Sequence, residues 1–584
     1  MADKVLADKP QAAPGAQLQR SVGFWGLTFI SLGSIIGSGW LLGALSAAVV
    51  AGPASLVSWV IGAGILTVLA LTYAELGGSY PVSGGAARYP YFAFGALGGF
   101  AAGWAGWLQA VAVAPIEVEA TISYVNSVHW VHQNLNMLTA NGGLNGTGLV
   151  IGSVLMLVFT VINLAGAKAV SDSNTPVVLW KVFVPALTIV VLLSLSFHPS
   201  NFTSAPGGFI PFGFHGVFAA LTLGVAYALA GFEQSAQMAG EARNPQRDLA
   251  KSIMLSMAIG AVLYIMLEVA FLGALNPAGL ARGWANPIGL GDYGPYYTIA
   301  LAVGAGWLAV ILIIDAVISP SGTAMVYIAT TARLSYALGR DDALPSGLSR
   351  LNRRGVPVVS ILIAFIAGEL FFLPFPSWAA LVQILTAATA IMYAFAPVSL
   401  GALHKRDPDR YRPYRMPWPK VLNPAGFCIA NLLVYWSGFG TVWKLLFLIF
   451  IGRALFEYKL RTADARRTDI DWRASSWIWP WLIGITLISL LGEYGGHNVL
   501  PNWIDLLVVI AFSLAVFYYA VNVAMAPERV QEAVASDLPA PAAVTKDPPA
   551  GDAADLPPAG PWSRPAREGP RAEPRETLSV HGHR

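Results

Sequence analysis

Charged residues are scarce in this 584-residue chain, and their scarcity decides its class. Only 11% of the residues are Asp, Glu, Lys or Arg, whereas 55% are hydrophobic. Soluble domains carry about 25% charged residues, so an ordinary soluble fold is excluded. The apolar residues are gathered in runs that exceed the roughly 18 residues needed to cross a bilayer as a helix. The chain is therefore predicted to be a polytopic helical membrane protein.

Three other shortages exclude whole classes of chemistry. The chain has one cysteine, Cys428, so it cannot form a disulfide within itself. Its eight histidines all fall in loops, segment ends or the C-terminal region, and the pair His129 and His132 has no Cys or Asp nearby. We therefore expect no metal site and no cofactor. There is no Gly-x4-Gly-Lys-Ser/Thr motif, which argues against ATP-driven pumping by this chain.

Fourteen apolar runs are predicted to be membrane helices, numbered here as spans 1 to 14. They cover about 22–51, 54–78, 97–127, 148–170, 175–197, 214–240, 251–275, 300–336, 357–375, 378–403, 421–439, 441–457, 476–493 and 500–525. The division between spans 11 and 12 rests on the residues 437–440. The first run is too long for a signal peptide, so we expect it to remain as a membrane helix.

Lysine and arginine are sorted between alternate connections, which tests this count. If the N-terminus is cytoplasmic, the cytoplasmic segments hold the basic clusters at 333–354, 405–420 and 453–473. The outer loops then hold only Arg282, with Lys444 at the outer start of span 12. Basic residues are enriched on the cytoplasmic side of membrane proteins, and one missed helix would invert the pattern downstream. The sequence thus predicts about 14 transmembrane helices in the cytoplasmic (inner) membrane, with both termini cytoplasmic.

The spans and their flanks divide the chain into five segments. These are a cytoplasmic N-terminal segment (1–20), a ten-span core (21–403), spans 11 and 12 with the basic loop before them (404–460), two extra spans (461–525) and a cytoplasmic tail (526–584). The tail holds 11 of the 39 prolines and no apparent apolar periodicity. Such a composition cannot bury enough apolar surface to fold, so the tail is predicted to be disordered.

The stretch 33–39, inside span 1, contains three glycines in seven residues. Each glycine weakens a helix by about 1 kcal/mol relative to alanine. Hydrocarbon offers no partners for amide groups freed from a helix, so an interruption at mid-depth is tolerated only where it lines a protein cavity. There the freed N–H groups can hold an anion. We interpret this stretch as half of a substrate site.

Span 6 contains a matching interruption, with Gly231 and Glu233 deep in an apolar segment. Spans 1 and 6 each open a set of five spans, and an odd number of spans gives the two sets opposite topologies. Glycine-interrupted helices at matching places in two halves indicate an inverted-repeat transporter. The alternative, that the glycines only allow close helix packing, suits either helix alone. Two helices interrupted at matching places favour transport.

Several motifs resemble those of the amino acid–polyamine–organocation (APC) family of permeases. They are 33–42 (GSIIGSGWLL), 70–95 (ALTYAELGGSYPVSGGAARYPYFAFG), 230–253 (AGFEQSAQMAGEARNPQRDLAKSI), 331–345 (TARLSYALGRDDALP) and 404–417 (HKRDPDRYRPYRMP). The resemblance covers about residues 20–460, so spans 13 and 14 are extra and their role is open. It implies an all-α polytopic fold with a 5+5 inverted-repeat, LeuT-like core in which helices 1 and 6 are discontinuous at the bilayer centre.

The resemblance also implies where an amino acid's carboxylate binds. The amides of Gly37, Ser38 and Gly39, together with the Ser38 hydroxyl, would hold the α-carboxylate. The positive end of the half-helix that starts near Trp40 adds to this attraction.

The same resemblance places the substrate's ammonium group between the two breaks. Carbonyl groups freed at Ile35, Tyr227 and Ala230, with Gly231 beside them, would accept its hydrogen bonds. Tyr227 matches an aromatic position that caps the substrate in relatives. Tyr327 in span 8 is expected to form another wall of the site, and a plain packing role is the alternative.

Two charged residues within the spans are candidates for coupling transport to protons. Lys181 lies in span 5, where relatives that use protons carry a lysine beside spans 1 and 8. Burial disfavours the charged form of a lysine, so Lys181 could alternate between two protonation states. The alternative is that it reaches out to the cytoplasmic surface. Glu233 matches a glutamate of the family motif and either stabilises the unwound segment or carries a proton.

Three further acids are candidates for lining the transport pathway, because ionisable groups within a membrane are costly. Glu117 and Glu119 in span 3 are two residues apart and therefore point about 200° apart on a helix, so they cannot both face one cavity. We expect one to contact the substrate's side chain and the other to pair with a polar partner. Asp315 in span 8 is expected to line the outward pathway.

These observations predict a secondary active transporter for an amino acid, driven by proton symport, and not an enzyme. The alternatives within transport are exchange of an amino acid against an amine, and polyamine uptake by the same fold. A membrane-embedded enzyme would need a nucleophile–base pair or a metal cluster in the spans. A channel would show a pore ring from an oligomer rather than two asymmetric broken helices. The expected partners are the substrate, protons and the bilayer, without nucleic acid.

Overall fold

The computed structural model describes residues 20–165, 174–281, 283–289, 294–340, 344–352, 356–373, 377–462, 470–500 and 503–538. These residues are predominantly helical and form no β-strand. Helices satisfy every backbone hydrogen bond within one segment, as hydrocarbon demands. The predicted all-α class is confirmed. The N-terminal segment before Arg20, and Arg282 in its loop, lie outside the described residues.

Twenty-two α-helices follow one another in the described residues. They are α1 (Phe24–Ile35), α2 (Gly39–Ala51), α3 (Ser55–Ser79), α4 (Gly85–Asn126), α5 (His129–Asn134), α6 (Gly146–Ala165), α7 (Asn174–Leu195), α8 (Ser200–Thr203), α9 (Gly213–Ala220), α10 (Ala226–Leu229), α11 (Gln234–Gln237), α12 (Pro245–Ala274), α13 (Pro277–Leu280), α14 (Pro295–Ala302), α15 (Gly306–Arg340), α16 (Val358–Phe371), α17 (Trp378–Arg406), α18 (Pro419–Trp436), α19 (Phe439–Thr462), α20 (Ile478–Leu491), α21 (Ile504–Val523) and α22 (Pro527–Asp537).

Each of the fourteen apolar runs carries at least one of these helices. Nine helical segments of the described residues are at least 18 residues long and apolar enough to cross a membrane, and four shorter apolar helices accompany them. The runs at spans 11 and 12 are separate helices, α18 and α19, and Gly438 between them has a φ of 79°. The count of 14 spans and the inverted repeat stay predictions.

Span 1 consists of two helices rather than one. The first, α1, ends at Ile35, and α2 begins at Gly39, so residues 36–38 lie outside regular helix. The absence of a side chain at Gly37 allows another helix to approach closely, because a Cβ there would lie 2.5 Å from Glu117 Oε1. The interruption predicted from the glycines is therefore present.

Span 6 is interrupted in the same way. Its helices α9 and α10 are joined by the π-helical turn Leu221–Val225, and residues 230–233 then separate α10 from α11. Gly231 has a φ of 114°, which L-residues rarely adopt. A Cβ at this position would lie 2.8 Å from the carbonyl carbon of Ser34 in α1. The two interruptions consequently lie against each other.

Three long helices surround these interruptions. The helix α4 (span 3) carries a kink at Gly95, where φ is 76°, and packs against α15 (span 8) and α17 (span 10). The α4–α15 contact includes a buried hydrogen bond from Trp107 Nε1 to Ser335 Oγ of 2.7 Å. Most residues of α17 are buried by protein. These three helices pack around the interruptions of spans 1 and 6.

The prediction that the whole tail 526–584 is disordered is wrong for its first part. Residues Pro527–Asp537 form α22, and the described unit continues to Leu538. Val530 and Val534 are buried one helical turn apart, a spacing that buries one face of a helix. At its end, Asp537 pairs with Arg88 at the start of α4, with Oδ2 2.9 Å from Nε. The remaining tail lies outside the described residues.

Candidate substrate site between two interrupted helices

A small cavity lies between the interruptions of spans 1 and 6. Its walls consist of Ser34, Ile35, Gly37 and Gly39 from span 1, Gln109, Val113 and Glu117 from α4, Tyr227 and Ala230 from span 6, Thr323 and Tyr327 from α15, and Leu385 from α17. Six of the eight residues predicted to bind substrate are in these walls. The other two, Ser38 and Gly231, lie beside the cavity without lining it.

The amide group freed at the first interruption already binds a carboxylate. Ser38 N donates a hydrogen bond of 2.8 Å to Glu117 Oε2. The other carboxylate oxygen, Oε1, accepts a bond of 2.6 Å from the Tyr227 hydroxyl, which lies 3.0 Å from Ser38 Oγ. Helix N-termini attract anions because their amides are unpaired and the helix dipole is positive there. Glu117 of α4 therefore occupies the place predicted for the substrate's carboxylate.

Trp378, the first residue of α17, holds the same interruption from the opposite side. Its Nε1 donates to Ser38 Oγ at 3.2 Å, and its ring meets the Tyr227 ring edge-on, with centroids 5.8 Å apart. Sequence reasoning missed this residue. A tryptophan at the start of an apolar run carries no local signal that distinguishes a site residue from an interfacial anchor.

Two of the three carbonyl groups expected to receive the substrate's ammonium are not free. The Ile35 carbonyl accepts a bond of 2.8 Å from the Tyr264 hydroxyl, and the Tyr227 carbonyl accepts one of 3.1 Å from Ala230 N. Tyr264 belongs to α12 and stacks on Trp59 with ring centroids 5.2 Å apart. A carbonyl oxygen has two lone pairs, so a second bond is geometrically allowed. Tyr264 was not identified from the sequence.

The amide group freed at the second interruption is bound locally. Gly231 N donates 3.0 Å to Glu233 Oε2, only two residues further along the chain. The Tyr393 hydroxyl of α17 donates 2.6 Å to the same oxygen, and Gln234 Nε2 lies 3.3 Å from Oε1. Glu233 is fully buried and does not line the cavity. Its contacts match the stabilising alternative given for this residue.

Lys181 is buried rather than extended to the surface, with 2% of its area exposed. Its Nζ donates to Thr323 Oγ1 at 2.6 Å and to the Gly33 carbonyl at 3.0 Å. The lysine of span 5 thus bridges spans 1 and 8, and Thr323 itself lines the cavity. The contact with Gly33 lies immediately before the first interruption. The Lys181 ammonium group therefore forms a hydrogen bond with α1 as well as with α15.

The other two pathway acids lie away from the cavity walls. Asp315 is fully buried, accepts from Trp40 Nε1 at 3.1 Å and from Ser319 Oγ at 2.6 Å, and is not among the residues that line this cavity. Its place on the outward pathway stays a prediction. Glu119 is buried and absent from the cavity walls, in keeping with the angular separation from Glu117. The polar partner expected for Glu119 is not found among the described residues.

Two further buried acids, Glu268 and Glu75, hold helices together. Glu268 of α12 accepts from Trp59 Nε1 at 2.9 Å and from Ser55. Glu75, at the end of α3, accepts from Met416 N at 2.7 Å and contacts His404 Nε2. These bonds join distant parts of the chain, and none of them faces the cavity.

Sequence comparison places the chain among known permeases. Residues 22–457 match the family described as amino acid permease. The glutamate/serine transporter AimA of Bacillus subtilis is 35% identical over 522 residues, which are 88% of this chain and 96% of the relative. The aspartate-proton symporter of the same organism is 33% identical over 86% of this chain and 96% of the relative, and its branched-chain amino acid permease BcaP is 28% identical over 78% and 96%. The chain belongs to the amino acid permease family, within the APC permeases.

Proposed function

We propose that this protein is a secondary active transporter that moves an amino acid across the cytoplasmic membrane by proton symport, with both termini on the cytoplasmic side. The observation that carries the proposal is that the Glu117 carboxylate, which lines the cavity, accepts a hydrogen bond from the Ser38 amide. A site that holds a carboxylate of its own is chemically suited to hold the carboxylate of a substrate.

Substrate binding is proposed to exchange one carboxylate for another. The α-carboxylate of the amino acid takes the Ser38 amide, and Glu117 moves aside within the cavity that it lines. The Ala230 carbonyl, on the wall of the cavity, then accepts from the ammonium group. Donors on one side and acceptors on the other suit a zwitterion, as in other transporters built from discontinuous helices.

The same exchange gives a route for coupling to protons. Once displaced, Glu117 loses the bonds from Ser38 N and the Tyr227 hydroxyl, which leaves a buried carboxylate without its donors. A buried charge without partners is costly, and taking up a proton relieves that cost. The substrate and the proton are then bound to the protein at the same time. Release of the substrate returns Glu117 to the amide and releases the proton.

Lys181 is proposed to sense the change on the cytoplasmic half of span 1. Its ammonium group holds Gly33 of α1 to Thr323 of α15. Loss of a proton would remove one donor and the charge, which would weaken the link between these two helices. The names of two relatives, an aspartate-proton symporter and a glutamate/serine transporter, support an amino acid substrate and a proton-coupled mechanism.

Uptake by purified protein in proteoliposomes tests the proposal. A panel of labelled amino acids, including aspartate, glutamate, serine and leucine, is offered with and without an imposed inward proton gradient. We expect at least one amino acid to accumulate and its accumulation to require the proton gradient. Uptake that ignores this gradient but requires sodium would contradict proton symport. Uptake only into vesicles preloaded with amino acid or amine would identify an exchanger.

Replacing Lys181 with Met tests its part in the mechanism separately. We expect Lys181→Met to keep substrate binding and to lose the dependence of uptake on the proton gradient, because the bridge between α1 and α15 no longer responds to protonation. Lys251→Met, at an exposed lysine of α12, is the matched control and should behave as the wild type. A Lys181→Met protein with unchanged gradient dependence would exclude Lys181 from coupling.

A further inference from the structure

A second small cavity is lined in part by α10. The walls that matter here are Thr386, Thr389 and Tyr393 of α17, with Leu66 of α3, Ala226 of α10 and Leu433 of α18. The three α17 residues are spaced by three and four positions, so they lie on one face of that helix. No role was assigned to this cavity from the sequence.

Both threonine hydroxyl groups in this cavity lack a hydrogen-bond partner among the described residues. The two residues are 3% and 4% exposed, respectively, so neither reaches solvent at the protein surface. Buried hydroxyl groups nearly always find a partner. An unpaired pair on one cavity wall is therefore an exception that needs an explanation.

Threonines elsewhere in the helices of this protein behave differently. A threonine in a helix commonly bonds the carbonyl four residues earlier. Nine threonines of the described helices do so, namely Thr28, Thr67, Thr72, Thr121, Thr160, Thr188, Thr323, Thr331 and Thr486. Thr386 and Thr389 form no such bond. Their hydroxyl groups thus remain available to a group inside the cavity.

The second cavity adjoins the first. Tyr227, Ala230 and Leu385 line both of them. An amino acid whose carboxylate lies at the Ser38 amide can therefore direct its side chain past Tyr227 and Leu385. The threonine hydroxyl groups would then meet the end of that side chain.

The charges around the two cavities restrict which chemical group can stand at the end of the substrate's side chain. Among the described residues, the walls of the second cavity contain no charged residue, and those of the first contain only Glu117. Tyr393 already donates its hydroxyl hydrogen to Glu233. A side-chain carboxylate would therefore be buried here without a cation, which is costly. A hydroxyl or carboxamide group can both donate to and accept from the two threonines.

We infer that Thr386 and Thr389 form a side-chain pocket that selects substrates with a neutral, hydrogen-bonding end, a hydroxyl or a carboxamide. This inference rests on the proposed amino acid transport and adds the substrate class. Binding sites built to hydrogen-bond a ligand group reject analogues that lack it, because their own buried polar groups are then left unpaired.

Ligand pairs of equal shape test the inference directly. The purified protein is titrated with threonine against valine, asparagine against leucine, and asparagine against aspartate, and binding is measured by the ligand-induced rise in Tm. The same pairs then compete against uptake in proteoliposomes. We expect the wild type to prefer the neutral polar member of each pair. In Thr386→Val and Thr389→Val the preference over the apolar member should fall by about tenfold.

Two further variants separate selection from folding. Thr386→Ser keeps a hydroxyl and should retain the preference, whereas Thr160→Val removes a hydroxyl that is bound to its own helix and should change nothing. An unchanged preference in both valine variants would overturn the inference and assign the hydroxyl groups to internal water. A wild-type preference for aspartate over asparagine would overturn it as well. Preferential binding without any uptake would instead contradict the proposed transport, while the inference of a side-chain pocket would still hold.

Discussion

The interruptions of spans 1 and 6 bind their freed amide groups in different ways. At the first, Ser38 N is bound by Glu117, a residue 79 positions away on another helix, and this carboxylate lines the cavity. At the second, Gly231 N is bound by Glu233, two positions away, and this carboxylate is sealed behind Tyr393 outside the cavity. Both are carboxylate caps on broken helices, but of these two carboxylates the first lines the cavity between spans 1 and 6 and the second does not.

Gly37 and Gly231, the glycines of the two interruptions, also differ in the atoms that surround them. Gly37 approaches the end of a flexible side chain, because the atom nearest to its virtual Cβ is Glu117 Oε1 at 2.5 Å. Gly231 approaches the backbone of α1 at Ser34 and Ile35, within 2.9 Å. Side chains can move aside, whereas packed backbone cannot. We therefore propose that the second interruption is a fixed support and that the first is the exchangeable part of the site.

Substitution of Gly231 should have the largest effect. Gly231→Ala places a Cβ against the α1 backbone at a φ of 114°, and strain with overpacking costs about 2–5 kcal/mol. We expect a sharp loss of monodisperse protein in size-exclusion chromatography and a lower Tm. Gly213→Ala is the control, because Gly213 also has a positive φ of 63° but open space at its Cβ. If Gly231→Ala and Gly213→Ala lowered Tm equally, the close contact of Gly231 with the α1 backbone would not explain the loss.

Substitution of Gly37 should spare the fold and abolish binding. Gly37→Val pushes the Glu117 side chain away and fills the space beside the Ser38 amide, so the substrate's carboxylate loses its donors. Charge-assisted hydrogen bonds of this kind are worth about 1.5–3 kcal/mol, which corresponds to roughly tenfold or more in affinity. Ligand-induced stabilisation measures the loss, and Gly64→Val in α3, with open space at its Cβ, serves as control. Retained binding would exclude the first interruption from the site.

Neutralising Glu117 should separate transport from the proton gradient. Glu117→Gln keeps the shape of the side chain but cannot take up a proton when the substrate displaces it. We expect gradient-driven accumulation to be lost while exchange of labelled against unlabelled substrate across the vesicle membrane continues. Glu369→Gln in α16 replaces a membrane acid that is bound to Ser153 away from the cavity, and it should accumulate substrate as the wild type does. Intact accumulation by Glu117→Gln would contradict the carboxylate exchange.

Changes at the second cap should have the smallest effect. Glu233→Gln or Tyr393→Phe removes one charge or one donor from a fully buried network, and we expect each to lower the free energy of unfolding by about 1–2 kcal/mol. The response of uptake to the proton gradient should stay as in the wild type. The double variant should cost less than the sum, because the two residues share one bond. A change in gradient dependence would show that the second cap also exchanges its proton.

Much of the fold was predictable because its signals are local. The apolar runs, the interruptions near Gly37 and Gly231, and the family motifs were all read from neighbouring residues, and each was found in the structure or by comparison. The helix α22 was missed because its proline-rich surroundings hid two valines spaced four apart. Its stability also depends on Arg88 at the start of α4, which no local pattern reveals.

The site was predictable only in part, for the same reason. The sequence drew attention to Glu233 within a family motif, to Tyr227 beside it, and to Lys181 as a charge inside an apolar run. It could not identify Trp378 or the unpaired hydroxyl of Thr386, because ordinary residues become site residues only through their neighbours on other helices. Pairings across such distances depend on how long helices cross, and crossing angles are decided by packing along their whole length.

By itself, therefore, the sequence determined that the chain is helical, embedded in a membrane and broken at two glycine-containing points, because hydropathy and glycine's weak helix propensity act within a few residues. Only the tertiary structure decided how each break is capped. It brought Glu117 to the first from a distant helix and enclosed Glu233 at the second beneath Tyr393. A freed amide must find an acceptor inside the bilayer, but which acceptor it finds depends on the helices packed around it.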